Sequence, residues 1–275
     1  MWFNWHGPFI FLNGLIIWFQ RSIDFEKGQG ISAMFNNQNY AACWLIIIWP
    51  FCLYSLLNIK RFTFKKSILI IFTFLLGTLQ YLTQSRNGII GTLTSTLFPS
   101  TRFYSMIIML IIFTTFISTL IFTSPISQKI FFQFSSLTNL LGPRAFIYSN
   151  TLPIILERPI FGWGAASFPL LFQIRHPSFN RETTHPHNLI FEMANSYGLL
   201  FAIIMFMTIC LILLYSYRSI YLKRNYKQIK NLNFDKAWWA SFFSLFLSQM
   251  YDIQYFDVRI SISFWILLTG LICIL

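Results

Sequence analysis

The chain has 275 residues, 56% of them hydrophobic and only 10% charged, with 33 phenylalanines. That composition excludes a soluble globular domain and fits a protein dissolved in a bilayer. A formal charge of +12 would suggest a nucleic-acid partner in a soluble protein. Here the basic residues fall mainly in two loops between apolar runs, where the positive-inside rule accounts for them, so no nucleic acid is expected.

Met1 to Phe19 is apolar and aromatic but lacks the basic start and small-residue cleavage site of a signal peptide. It reads as a short span, an interfacial segment or the remnant of a longer N-terminal region. Tyr40 to Leu57 is the first clear span, and Lys60, Arg61, Lys65 and Lys66 after it mark a cytoplasmic loop. Ser67 to Thr83 returns to the other face, where Gln84-Ser85-Arg86-Asn87-Gly88 makes a tight polar link. Gly88 to about Phe98 and Phe103 to about Thr123 cross again, the former short for a span, with Arg102 between them on the inner side.

Ser124 to His187 carries seven prolines and no long apolar run, as expected of an outer loop with short amphipathic helices lying along the membrane. Asn188 to Leu214 reads as one span, followed by a second basic loop with Arg218, Lys223, Arg224, Lys227, Lys230 and Lys236. Ala237 to Gln249 goes out, Tyr251 to Arg259 forms a small outer loop with Asp252 and Asp257, and Ile260 to Leu275 comes back. The four cysteines, 43, 52, 210 and 273, all lie in apolar segments and read as small core hydrophobes.

The expected architecture is all-α: one polytopic transmembrane helical bundle over residues 1–275 with about seven or eight spans. Its parts are an N-terminal apolar segment and outer loop over 1–39, spans over 40–123, an extracytoplasmic loop over 124–187, and C-terminal spans over 188–275.

The outer face collects Arg86, Arg144, Arg158, Arg175, Arg181, His176, His185, His187 and Glu192. Guanidinium groups clustered at the mouth of a helical bundle suit a phosphate or pyrophosphate, which Arg binds in bidentate fashion; the alternative is contact with lipid headgroups. Arg86, in a very short turn, is the most pointed case, followed by Arg144 and then by Arg158, Arg175 and Arg181 alike. His187 stands just before a helix that Asn188 would cap, with Glu192 in its first turns. An imidazole there is wet enough to exchange protons, as a general base for a hydroxyl requires. His185 and His187 also allow an HxH metal site with His176 or Glu182 as third ligand, which the intervening Pro186 disfavours, so no metal is expected. Ala194, Gly198 and Ala202 recur every four residues as a close-packing face, while Glu192, Asn195 and Ser196 form a polar stripe.

The stretch "HNLIFEMANSYGLL" from His187 resembles the His-Asn...Glu...Gly motif of the O-antigen ligase and polymerase superfamily of bacterial membrane glycosyltransferases, which includes cyanobacterial proteins once labelled as bicarbonate transporters. "RAFIYSNTLPIILERPIFGWGAASF" from Arg144 is similar to the family's Arg-led stretch running into Pro159, Gly162 and Gly164. "TQSRNGIIG" resembles its Ser-Arg turn and "FNNQNYAACWL" its Asn-Pro-Asn segment, with Gln38 in place of the proline. Phe201 stands where the family often has Gly, Thr or Tyr, and the chain is shorter than the family's customary dozen spans, so an N-terminal truncation is expected.

The resemblance implies a GT-C-like fold and an inverting, metal-independent and cofactor-free transfer at the outer face of the bacterial inner membrane. The donor it implies is a polyprenyl-diphosphate-linked saccharide, and the acceptor a glycolipid or growing glycan. By carry-over, Arg86 and Arg144 hold the diphosphate and His187 activates the acceptor hydroxyl. Residue type and position add Arg158 as a further diphosphate candidate, and leave Glu192 either to orient the histidine or a substrate hydroxyl or to be a satisfied buried carboxyl. The competing expectations are transport of a small anion such as bicarbonate and an inactive truncated homologue.

Overall fold

The computed structural model describes residues 30–32, 34–35, 37–59, 61–97, 143–177, 183–222 and 232–275. The segment Met1 to Phe19, the span expected over Phe103 to Thr123, Arg102, Arg181, Glu182 and most of the second basic loop lie outside them. The described residues form helices and no strand.

Among the described residues nine α-helices follow in chain order: α1 (Gln38–Asn58), α2 (Phe64–Leu82), α3 (Arg86–Leu97), α4 (Pro143–Glu157), α5 (Phe168–Arg175), α6 (Leu189–Tyr197), α7 (Leu199–Tyr217), α8 (Leu232–Tyr251) and α9 (Val258–Ile274). A π-helical turn, Arg218–Leu222, extends α7. Three helices among the described residues are long and apolar enough to cross a membrane: Gln38–Asn58, Phe64–Leu82 and Leu199–Tyr221. Val258–Ile274 is a shorter apolar helix. On α2, Ile68, Ile71, Phe72, Phe74 and Leu75 are all exposed. In water such a face would be unstable; against acyl chains it has no cost.

The helix pairs α1 with α8 and α3 with both form the packed centre. Without water, association there depends on close approach and satisfied polar groups rather than on hydrophobic expulsion. Gly91 supplies the close approach, because a Cβ at that position would lie 2.4 Å from Ile46 Cδ1. The polar groups pair across helices: the Trp49 indole N–H donates to Thr96 Oγ1 at 2.9 Å, and Ser241 Oγ donates to the Ile47 carbonyl at 2.9 Å. Asn87 Nδ2 donates to Ser248 Oγ at 2.8 Å. Cys43 and Cys52 are buried here, whereas Cys273 is exposed on α9 rather than in the core.

Lys236 departs from the basic-loop reading. It lies buried on α8 with its ammonium 5.3 Å from the Tyr221 ring centroid.

The expected single span from Asn188 to Leu214 is two helices. The chain breaks at Gly198, whose φ of 99° ends α6 and starts α7. A side chain could not be accommodated, since a Cβ there would stand 1.9 Å from the Ile160 carbonyl oxygen. Backbone groups freed by a break inside a membrane protein need partners. The Pro159–Gly164 loop supplies them: Trp163 N–H donates to the Asn195 carbonyl at 2.7 Å, Gly164 N–H to that of Ser196 at 3.1 Å, and Leu199 N–H to that of Pro159 at 2.6 Å. Gly162, at φ 68°, leaves room for this contact. Ala194 and Ala202 are buried as a packing face requires, but Gly198 serves the break between them.

Candidate active site

One end of the bundle gathers the N-terminus of α1, the Gln84–Arg86 turn before α3, the start of α4, the segment before α6 and the α8–α9 turn. The opposite end holds the α1–α2 link, where Asn233 at the start of α8 hydrogen-bonds Asn58 at the end of α1.

His187 occupies the centre of the first end. Its backbone has φ 54°, a left-handed conformation that a non-glycine residue adopts at a cost of about 1–3 kcal/mol. Neighbours on both sides hold it there. The Tyr148 hydroxyl of α4 donates to the His187 carbonyl at 3.0 Å, and the His187 N–H donates to His185 Nδ1 at 3.3 Å. Asn188 accepts from the backbone N–H groups of Ile190 and Phe191 as the cap of α6, while its Nδ2 donates to the Met250 carbonyl at 2.8 Å. Asn188 therefore fulfils its capping role and also anchors the histidine to the end of α8.

The ring is oriented by Asp252, in the turn after α8, whose Oδ1 lies 2.6 Å from His187 Nδ1. Asp252 is buried, and the same carboxylate accepts from Asn39 Nδ2 at 2.7 Å and pairs with Arg144 Nη2 at 3.5 Å. Burial opposes its ionisation, but the His187 hydrogen bond and the charges of His187 and Arg144 outweigh that and hold the carboxyl below its ordinary range. An ionised partner places the imidazole proton on Nδ1 and leaves Nε2 with a free lone pair. The His187 side chain is 28% exposed, enough for a hydroxyl to reach it.

Arg144, at the start of α4, lies with its guanidinium carbon 4.2 Å from the Tyr251 ring centroid, and its buried Nε has no hydrogen-bond partner among the described residues. The turn bearing Arg86 is tied to the same carboxylate. Ser85 Oγ donates to Asn39 Oδ1 at 2.8 Å, and Asn39 in turn donates to Asp252. Arg86 itself is partly buried at the first position of α3.

Other expected residues lie elsewhere. Arg158 follows the far end of α4, about 21 Å along the helix from Arg144 at 1.5 Å per residue, and its guanidinium stacks on Trp163 at 4.2 Å. Glu192 is buried on α6, where its Oε1 accepts from Ser196 Oγ at 3.1 Å. The carboxylate that orients His187 is thus Asp252, far away in sequence, and not Glu192. His176 packs against Phe172, with ring centroids 5.0 Å apart, rather than joining His185.

His185, His187 and Asp252 offer three ligand atoms within 4.8 Å of one another, the one such group among the described residues. The surroundings suit a proton relay better than a cation. Asp252 already takes His187, Asn39 and Arg144, and the guanidinium repels a metal ion at that carboxylate. Burial and the neighbouring His187 lower the His185 pKa to about 4, so His185 is neutral at physiological pH.

A helical membrane protein with a strained, carboxylate-backed histidine beside arginine at one mouth of its bundle has the makings of a transferase acting at the membrane surface. A family model described as O-antigen ligase matches residues 70–207, half of the chain, and the chain belongs to that family. The match runs from α2 into α7 and contains Arg86, Arg144, His187 and Glu192, while Asp252 lies beyond it. No curated protein matches the chain.

Proposed function

We propose that the protein transfers a saccharide from a lipid-diphosphate carrier to an acceptor hydroxyl, with inversion and without a metal, at the outer face of the bacterial inner membrane. The observation that carries this reading is the 2.6 Å contact between His187 Nδ1 and the buried Asp252. It leaves Nε2 free to take the proton of an acceptor hydroxyl while Asp252 stabilises the imidazolium that forms. The hydroxyl oxygen then attacks the anomeric carbon, and the bond to the diphosphate breaks. The developing charge falls on a group that Arg144 and Arg86 would neutralise, which makes diphosphate a competent leaving group. A polyprenyl carrier fits a site at the edge of the apolar spans, and a glycolipid or growing glycan would serve as acceptor.

Transport of a small anion has one observation in its favour, the helix interrupted at Gly198, since transporters place substrate sites at such breaks. The freed backbone groups are taken by the Pro159–Gly164 loop, however, which favours a structural break over a binding one. Complementation separates the two readings. In cells deleted for their own enzyme, the wild-type chain restores surface glycan and His187→Ala does not; equal restoration by the variant would rule out the catalytic assignment. Unattached polymer in the deletion identifies a ligase, single repeats a polymerase.

A further inference from the structure

A second cationic site lies at the far end of α4. Two guanidinium groups flank one indole, with Arg158 4.2 Å and Arg175 5.6 Å from the Trp163 ring centroid. The indole is fixed in place. Its N–H donates to the Ile154 carbonyl at 2.8 Å, and the ring packs on the cluster of Ile147, Ile154, Phe168 and Phe172. Glu157, itself half exposed, pairs with Arg175 alone. Among the described residues the site keeps an excess positive charge, and Arg175 Nη1 is buried without a hydrogen-bond partner. Two like charges held around a rigid ring, with a spare buried donor, point to an anion.

The depth of the site identifies the source of that anion. Pro159, next to Arg158, is hydrogen-bonded at 2.6 Å to Leu199, the first residue of the apolar span Leu199–Tyr221. The cations therefore lie level with the start of the span, at headgroup height. Around them Leu156, Ile160, Phe161, Leu170 and Ile174 are exposed, Phe161 to 86%. Apolar side chains beside arginines and an indole at a span boundary match the layering of a lipid surface, acyl chain below and phosphate above.

We propose that Arg158, Trp163 and Arg175 hold the phosphate of an anionic lipid headgroup, at a place about 21 Å along α4 from Arg144. The site is independent of the transfer reaction. It anchors the α4–α5 segment on the leaflet.

The test uses the full chain in mixed micelles of phosphatidylglycerol and phosphatidylcholine, counting retained lipids by native mass spectrometry. Arg158→Gln with Arg175→Gln weakens phosphatidylglycerol retention about tenfold or more and leaves phosphatidylcholine retention unchanged. Glu157→Gln, which frees Arg175, strengthens it, whereas a purely structural role for the ion pair predicts the reverse. The double lysine variant recovers part of the binding, which separates lost charge from lost fold. His187→Ala binds lipid like the wild type, so failure of the transfer reading leaves this outcome unmoved. Unchanged phosphatidylglycerol retention in the double glutamine variant, an equal loss of phosphatidylcholine, or displacement by inorganic phosphate at millimolar concentration would overturn the proposal.

Discussion

Asp252→Asn isolates the electrostatic part of the site. The substitution keeps the shape of the side chain, so the α8–α9 turn, held by Gln249 accepting from the Gln254 and Tyr255 N–H groups, stays in place. It removes the charge that fixes the His187 tautomer and stabilises its protonated form. A hydrogen bond to a charged group is worth about 1.5–3 kcal/mol. At about 1.36 kcal/mol per decade of rate, losing it from the transition state lowers kcat about 10- to 150-fold. Asp252 touches Asn39, Arg144 and His187, the last at Nδ1 rather than at Nε2, so the loss falls on kcat more than on the KM for the acceptor. The assay is glycan transfer by purified protein at several acceptor concentrations, with a monodisperse elution profile confirming the fold. Wild-type kcat in a folded Asp252→Asn protein would refute the inference that this carboxylate supports the histidine.

Three further outcomes follow from the geometry. Arg144→Gln removes the cation beside Asp252 and weakens donor binding, raising the donor KM about tenfold or more, whereas Arg158→Gln leaves it unchanged; titration of the donor distinguishes them. Gly198→Ala destabilises far more than Gly164→Ala, although both residues have positive φ. A Cβ at 198 meets the Ile160 carbonyl oxygen at 1.9 Å, whereas one at 164 meets nothing within 4 Å, so melting in detergent shows a small shift for the second and a large shift or no folded protein for the first. The folded His185 pKa lies at about 4 against 6.5 unfolded, so the unfolded chain binds more protons between those values and stability falls as pH drops through that window. His185→Gln flattens that part of the melting profile.

The alternation of apolar runs and polar links was enough to place α1, α2 and the core of α7, because a bilayer enforces length and hydrophobicity directly. The break at Gly198 was not legible. Its flanks remain apolar, and the partners of its freed backbone groups come from a loop some 35 residues earlier, a tertiary fact with no local periodicity. His187 and Asn188 could be singled out because chemistry and capping residues stand next to each other at a helix start. Asp252 was visible only as an acid in a short outer loop, since nothing in its own neighbourhood shows that folding brings it onto His187. A signal existed in the scarcity of carboxylates, eight in the chain, which makes each one in an outer turn worth pairing with the nearest base. Residue type and loop alone group Arg158 with Arg144; the length of α4 separates them.

His187 as the base of a metal-independent transfer can be tested directly. The most direct measurement is transfer of a diphosphate-linked saccharide by purified wild-type and His187→Ala protein, each with and without a chelator. Wild-type activity is expected to be full in chelator, and activity about 10²-fold or more lower in the variant. Chelator-sensitive transfer, or a folded His187→Ala protein working at the wild-type rate, would contradict it.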